Sequence, residues 1–256
     1  MKKHYQNIVI GAGSGGMTAA IGLSALGKEV ALIEGLHVGG DCTNVGCVPS
    51  KTLIHLAKNF KEGTNPDEVL RETIRKRDAL RNLETEEVQE IENLTFIEGM
   101  AQFTAPKTLE ITNSAGETQQ ITAENIVIST GARPRRLDIP GLPAERSMTN
   151  IELFDLENAP KHIAIIGAGV IALEMAFALQ KIGTKVTMLA LDKRALITSI
   201  SEAAEAIQAS LDHKGIATYY GATAKSYDEA TQTLTLPQGD AEIAVNKFTN
   251  NHGNLR

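Results

Sequence analysis

Two segments with one pattern, about 155 residues apart, predict an α/β protein of two doubly wound, nucleotide-binding halves. In each, a short apolar strand runs into a glycine-rich turn, a helix of small residues follows, and a second strand closes the unit. A third observation sets the first half apart: both cysteines of the chain, Cys42 and Cys47, fall just after its unit.

Asn7-Ile8-Val9-Ile10 reads as a buried strand, because a continuous apolar run before a turn suits a strand covered on both faces. The helix after it ends near Gly27, and Glu29–Glu34 is the second strand. Residues 50–95 read as helical. Leu53, Ile54, Leu56, Ala57 and Phe60 recur at helical spacing, and Asn65-Pro66-Asp67 starts a charged helix with apolar positions from Val69 to Ile91. The charges on that helix are most simply a solvated face, with a binding role as the alternative. From Leu94 to Ile128, short alternations broken by Asn113-Ser114-Ala115-Gly116 predict β-hairpin strands. Arg133–Pro143 is a connection, and Ala159-Pro160 precedes the second unit. The domain boundary is expected between Asn150 and Pro160, dividing the chain into 1–155 and 156–256. His162–Ile166, Gly167-Ala168-Gly169, a helix to Gly183 and Lys185–Leu189 then repeat the first pattern.

The chain has 256 residues, enough for one large or two modest cores, with 42% hydrophobic and 22% charged residues, as in an ordinary globular protein. A net charge of -6 argues against nucleic acid or an anionic membrane as a main partner. Two cysteines are too few for a disulfide scaffold or a four-cysteine zinc site, although histidines leave metal ligation formally open. The start, Met1-Lys2-Lys3 before an apolar stretch, faintly resembles a signal peptide, but Gly11, Gly13, Gly15 and Gly16 break it. No apolar run reaches the length of a membrane span. A cytoplasmic location is expected.

Gly11-x-Gly13-x-x-Gly16 is weak alone, but it follows a strand, opens a helix and has Glu34 closing the next strand. The first glycine permits the tight turn, the second lets a pyrophosphate approach the backbone, and the third lets helix and strand pack closely. The helix N-terminus presents free N–H groups to phosphates, and Glu34 would accept bonds from ribose hydroxyls. The alternative is a turn of this shape that binds nothing.

The run from Gly39 to Lys51, Gly-Gly-Asp-Cys-Thr-Asn-Val-Gly-Cys-Val-Pro-Ser-Lys, places two cysteines five apart on a turn entering a helix. They can close a small disulfide ring if Gly46 allows the bend. Cys47 at a helix start would have its thiolate stabilised by the dipole. A Cys-x4-Cys pair by itself is more often structural or metal-binding; its place after a dinucleotide turn strengthens the redox reading.

This run resembles the active-site signature of the pyridine nucleotide–disulfide oxidoreductases, the family of dihydrolipoamide dehydrogenase, glutathione reductase and mercuric reductase. The resemblance extends over roughly residues 5–245. It implies two Rossmann-like FAD- and NAD(P)-binding domains of three-layer β-β-α character. It implies FAD contacts at Gly11, Gly13, Ser14, Gly16, Glu34, Gly40, Thr43, Lys51, Ala101, Thr130 and Gly131. Ala101 comes from Glu98–Phe103, which is similar to a segment touching the adenine. Thr130 and Gly131 come from Ile126–Pro134, where Ser129 replaces an alanine. The resemblance also makes Cys47 the flavin-side cysteine, able to form a charge-transfer thiolate, and Cys42 the exposed thiol that exchanges with substrate. Lys51 would lie near flavin N5.

Gly167-x-Gly169-x-x-Ala172 resembles the family's NAD(P)H turn. Ala190 stands where Glu34 stands in the first unit, so a 2′-phosphate is not repelled, and Lys193 and Arg194 are placed to pair with it. Asp192 is also near, and the basic pair reads equally as a solvated loop. NADPH is favoured, with NADH possible. Glu174 matches a family glutamate that pairs with the flavin-side lysine across the domain interface. That pairing would explain a carboxylate on an apolar helix, where an unpaired buried charge is costly; the alternative is a side chain in solvent. Val170 occupies the place of an aromatic gate, as in mercuric-reductase-like members.

After Val245 the family pattern would continue with another strand and a threonine–glycine motif. The sequence instead reads as a divergent tail from about residue 246, and His252 has no acidic partner. The rest of the FAD domain and the interface domain, with its dimer contact and catalytic histidine, are expected to be missing from a C-terminally truncated chain. The resemblance implies electron flow from NAD(P)H through flavin to the cysteine disulfide, with Cys42, Cys47, Lys51 and Glu174 as the catalytic set. The substrate would be a small-molecule disulfide or a soft metal ion. The alternatives are an inactive nucleotide-binding fragment and a flavin electron-transfer protein reducing quinones or dyes.

Overall fold

The structure is a computed structural model that describes residues 3–61, 63–236, 242–244 and 247–250. The chain divides into two compact units, Met1–Val48 with Lys76–Gly131, and Pro49–Arg75 with Ala132–Arg256.

The first unit opens with β1 (His4–Ile10), α1 (Ser14–Ala25), β2 (Val30–Glu34) and α2 (Gly40–Val45). Helices α3 (Cys47–Lys58) and α4 (Pro66–Gln89) follow, both cut by the division into units. Then come β3 (Leu94–Glu98), β4 (Met100–Ala105), β5 (Thr108–Thr112) and β6 (Thr118–Ile128), in a sheet of order β3-β2-β1-β6-β5-β4. Strands β1, β2 and β3 and the end of β6 pair in parallel, whereas β4, β5 and the start of β6 pair antiparallel.

Apolar residues follow one another in β1 and β2 because both faces are covered. Ile8, Ile10, Ala31 and Ile33 meet Leu109, Ile111 and Ile121 of the antiparallel arm. On the other face, Val9, Val30 and Leu32 pack with Ala20 of α1 and Val88 of α4. Helices, parallel sheet and antiparallel arm make the three layers that the resemblance implies. β6 joins two of them: Thr118–Thr122 pairs with β5, and the strand continues from Thr122 alongside β1.

Two expectations for this unit need correction. Leu94–Glu98 is not a hairpin strand; it pairs in parallel with β2, from Val30↔Leu94 to Glu34↔Glu98. Its alternation is the same in either arrangement, and what separates it from the arm is Gly99 (φ +153), where a Cβ would lie 2.6 Å from Ile111 Cγ2. The charges of α4 are not all a solvated face either. Thr73, Arg77 and Val88 are buried at helical spacing, with Arg81 and Glu84 partly buried between them, so the inward stripe of this helix is largely polar.

The second unit holds β7 (Ser147–Met148), α5 (Asn150–Leu153), β8 (His162–Ile166), α6 (Val170–Lys181), β9 (Lys185–Ala190), α7 (Ser201–His213) and β10 (Ala217–Tyr220). It ends with β11 (Ser226–Asp228), β12 (Thr233–Thr235), β13 (Glu242–Ala244) and β14 (Lys247–Asn250). A parallel sheet of order β10-β9-β8-β14-β7 carries the second glycine turn, and β11-β12-β13 form an antiparallel sheet. Ala164, Ile166 and Leu189 of the parallel sheet pack with Tyr227, Leu234 and Leu236.

The tail read as divergent from about residue 246 contributes a strand: β14 pairs in parallel with both β8 and β7. Lys247-Phe248-Thr249-Asn250 has one apolar residue, so its sequence carries no strand period; pairing on both sides defines it. His252 lies outside the described residues.

Candidate functional site

The first turn is closed by backbone. Gly11 (φ +101) donates its N–H to Ile33 O at 2.8 Å, and a Cβ there would collide with the Ser129 carbonyl. A Cβ on Gly16 would collide in turn with the Gly11 carbonyl oxygen. Gly13 caps α1 without a side-chain bond, and the first turn of the helix holds no acid, so its leading N–H groups face a position suited to an anion. Gly40 approaches so closely that a Cβ on it would lie 2.6 Å from Gly13 Cα. Gly39 (φ +88) donates its N–H to Ala12 O at 2.9 Å.

Glu34 acts on the turn itself. Its Oε2 accepts from Ala12 N–H and its Oε1 from Leu36 N–H, both at 2.7 Å. A carboxylate offers about four lone-pair positions, so acceptor capacity remains for ribose hydroxyls. Ser14 is exposed at the helix start, and Thr130 and Gly131 are exposed just past β6. Ala101, opposite Ile111 in β4–β5, packs on the apolar face. Unblocked helix N–H groups, a side-chain-free approach at Gly13 and Gly40, and a carboxylate beside them fit the pyrophosphate and ribose of FAD.

The cysteines meet at the corner between α2 and α3. Gly46 (φ -134, ψ -116) makes the corner, and a Cβ there would lie 2.7 Å from Asp41 O and 3.4 Å from Cys42 Cα. Cys47 is the first residue of α3. Both are free thiols, and Cys42 is hydrogen-bonded to Cys47. That bond, followed by burial and by the charges of Cys47 and Glu84, pushes the Cys42 thiol above its ordinary pKa. Cys47 is exposed and Cys42 half-buried, the reverse of the order expected for a Cys42 that exchanges with substrate. Packing of Thr43 and Asn44, both buried, draws α2 inward.

The polar stripe of α4 fixes α2, a role that hydrophobic spacing did not signal. Arg81 Nε donates to Asn44 Oδ1 at 2.5 Å, and Asn44 Nδ2 donates to Val38 O and Gly40 O at 2.9 and 2.8 Å. Thr43 Oγ1 donates to Glu84 Oε1 at 3.1 Å. Glu84 Oε2 is buried without a partner among the described residues.

In the second unit, Lys51 Nζ lies 2.8 Å from Glu174 Oε1 and 3.0 Å from Oε2. The side chains are 62% and 28% exposed, so burial does not demand this pair, and an exposed pair adds at most about 1 kcal/mol. Its effect is to orient the ammonium.

The second turn repeats the first in backbone. Gly167 (φ +121) donates its N–H to Leu189 O at 2.7 Å, and Gly169 caps α6 without a side-chain bond or a first-turn acid. A Cβ on Gly169 would meet nothing within 4 Å, leaving space for a phosphate. Ala172 is buried at the third position, and buried Ala190 takes the place of Glu34. Lys193 is exposed, whereas the Arg194 guanidinium is bonded to carbonyls of its own loop. Among the described residues no cluster of three His, Cys, Asp or Glu is placed to hold a metal ion, and no helix is long and apolar enough to cross a membrane.

Residues 5–248 match the family described as "Pyridine nucleotide-disulphide oxidoreductase". A mercuric reductase of Bacillus cereus is 34% identical over 93% of this chain and 39% of its own length. Dihydrolipoyl dehydrogenase 3 of Pseudomonas aeruginosa is 32% identical over 84% of this chain and 50% of its own. The chain thus spans half or less of these relatives. A Cu(II) complex of the HOCl-induced flavoprotein disulfide reductase RclA from Escherichia coli superposes with a TM-score of 0.90 at 29% identity, covering 99% of this chain and 57% of that one. With the two glycine turns and the thiol corner in place, this extent of match establishes that the chain belongs to the pyridine nucleotide-disulphide oxidoreductase family.

Proposed function

We propose that this chain carries the FAD and NAD(P)H sites of a flavin-dependent disulfide oxidoreductase, with Cys42 and Cys47 as the redox pair. The observation that carries the reading is a pair of free thiols, Cys42 and Cys47, set at a corner where a Cβ on Gly46 would lie 2.7 Å from Asp41 O. Gly11, Gly13, Ser14, Gly16, Glu34, Gly40, Thr43, Ala101, Thr130 and Gly131 would hold FAD. Gly167, Gly169 and Ala172 would hold NAD(P)H, NADPH being preferred, so that by ligand the chain divides near residue 155. FAD, when bound, supplies two-electron transfer between the nicotinamide and the thiol pair.

The cysteines perform the exchange. By the family resemblance, and not by its exposure, Cys42 is the exchanging thiol: its thiolate attacks one sulfur of a disulfide substrate, forms a mixed disulfide and releases the other sulfur as a thiolate. Cys47 then attacks the Cys42 sulfur, releasing the second thiol and leaving the Cys42–Cys47 disulfide. Two electrons have passed to the substrate, and NAD(P)H restores them. By the family resemblance Lys51, paired with Glu174, would be the positive charge that favours an electron-rich flavin. A soft metal ion is the second substrate class, supported by the mercuric reductase relatives.

Anaerobic reductive titration of the purified chain tests the reading. The wild type is expected to take up about four electron equivalents, two for flavin and two for the thiol couple, and C42S/C47S about two. Equal uptake by both proteins sinks the redox pair. A double variant that loses disulfide reduction but keeps dye reduction supports it.

A further inference from the structure

The loop after β9 contains two adjacent cations whose surroundings differ. Arg194 Nη1 donates to Leu196 O at 3.3 Å, and Nη2 donates to Ile197 O at 3.4 Å and to Ser199 O at 2.7 Å. Both hydrogens of Nη2 are therefore engaged by loop carbonyls, and the planar fork is turned toward the loop's own backbone. Leu196, one of those three carbonyl acceptors, has φ +49, a left-handed conformation that a Cβ disfavours. In that conformation its N–H reaches Ala168 O at 3.0 Å, in the middle of the second glycine turn. The other end of the loop is tied by Gly221 N–H to Asp192 O at 3.1 Å. Lys193, between these anchors, is exposed.

The first unit makes the same backbone bond without such a clamp. There the donor to Ala12 O is Gly39, which takes φ +88 at no steric cost. The left-handed residue is intrinsic in one loop; in the other a guanidinium holds it.

We infer that Arg194 is a positioning residue that clamps the 191–200 loop onto the second nucleotide turn, and that Lys193 alone supplies the charge that selects a nucleotide bearing a 2′-phosphate. This rests on the reading of the second turn as the NAD(P)H site. Ala190 neither repels that phosphate nor accepts a bond from a 2′-hydroxyl. Discrimination then falls to one exposed ammonium.

Calorimetric binding of NADP+ and of NAD+ to the full chain, with thermal melts, tests the assignment. K193Q is expected to weaken NADP+ about tenfold and to leave NAD+ within about twofold, the loss of one charge-assisted contact. R194Q is expected to weaken both nucleotides by one common factor and to melt earlier. R194Q/L196G is expected to recover both, because glycine takes the left-handed conformation unclamped. Loss of NADP+ alone in R194Q, unrecovered in the double variant, would make the guanidinium the phosphate ligand and overturn the inference. So would a K193Q chain with undiminished NADP+ binding, a result that stands even if R194Q does not fold. A wild-type chain that binds neither nucleotide overturns the NAD(P)H reading itself, and the inference with it.

Discussion

Gly11 and Gly167 take φ of +101 and +121, and each donates its N–H across the turn, to Ile33 O at 2.8 Å and to Leu189 O at 2.7 Å. Gly13 and Gly169 then cap their helices with nearly the same dihedrals, φ near -80 and ψ near -180. What surrounds this common backbone differs at three points. The first turn has a glutamate bonded to Ala12 N–H, a third glycine and a left-handed Gly39. The second has Ala190, Ala172 and a left-handed Leu196 under Arg194. One backbone shape is thus reached in two ways, by a carboxylate inside the turn and by a clamp outside it.

The largest effect expected from breaking this contrast is at the third position. Gly16→Ala places a Cβ against the Gly11 carbonyl, a backbone atom that cannot step aside, and should cost ~3 kcal/mol or more and abolish flavin retention. The reverse change in the second turn, Ala172→Gly, should cost only about 1 kcal/mol. Melting curves and the flavin absorbance of the purified chains check both, and equal losses would erase the distinction between the turns. Glu34→Gln comes next. An amide has one accepting oxygen and no charge, so one of the Ala12 and Leu36 N–H groups loses its acceptor and the other keeps a neutral one, at about 1.5–3 kcal/mol.

The smallest effect concerns His37, in the loop after β2. His37 is exposed, and the partial burial it does have, then Arg81, lowers its pKa below 6.5 against the opposing pull of Glu34. As pH falls through 6.5 the unfolded chain takes up this proton before the folded chain does, so the first unit loses stability on acidification. His37→Gln should therefore melt like the wild type at about pH 8 and lose less on going to about pH 5. A variant that follows the wild type throughout breaks the assignment.

Most of the fold is legible in the sequence because its strands are short apolar runs and its turns need glycine. The cysteine corner is legible for the same reason, since Gly46 marks the bend. The residues that hold these features are harder to read. Arg77, Arg81 and Glu84 lie on an inward face of α4, yet a polar stripe has no hydrophobic period, so it resembles a surface. Arg194 reads from the sequence as a phosphate ligand, and its carbonyl partners are not signalled there, because bonds from a side chain to an irregular loop follow no spacing. β3 and β14 escaped for a related reason: strand partners, parallel or antiparallel, are chosen by the whole sheet.

The route of β6 also bears on how the chain is made. β1 is one of the two central strands of its sheet, but its partner on one side begins at Thr122, opposite His4 and 118 residues later. At roughly 5–20 residues per second, a ribosome needs on the order of ten seconds to deliver that partner. During this interval the emerging β1 has one edge of unpaired N–H and C=O groups flanked by apolar side chains, the kind of surface that chaperones guard. Ser129, whose carbonyl closes against Gly11, emerges at the very end of the wait. The flavin cradle is thus finished last among the parts of its unit, and cofactor loading belongs after synthesis of the unit rather than during it.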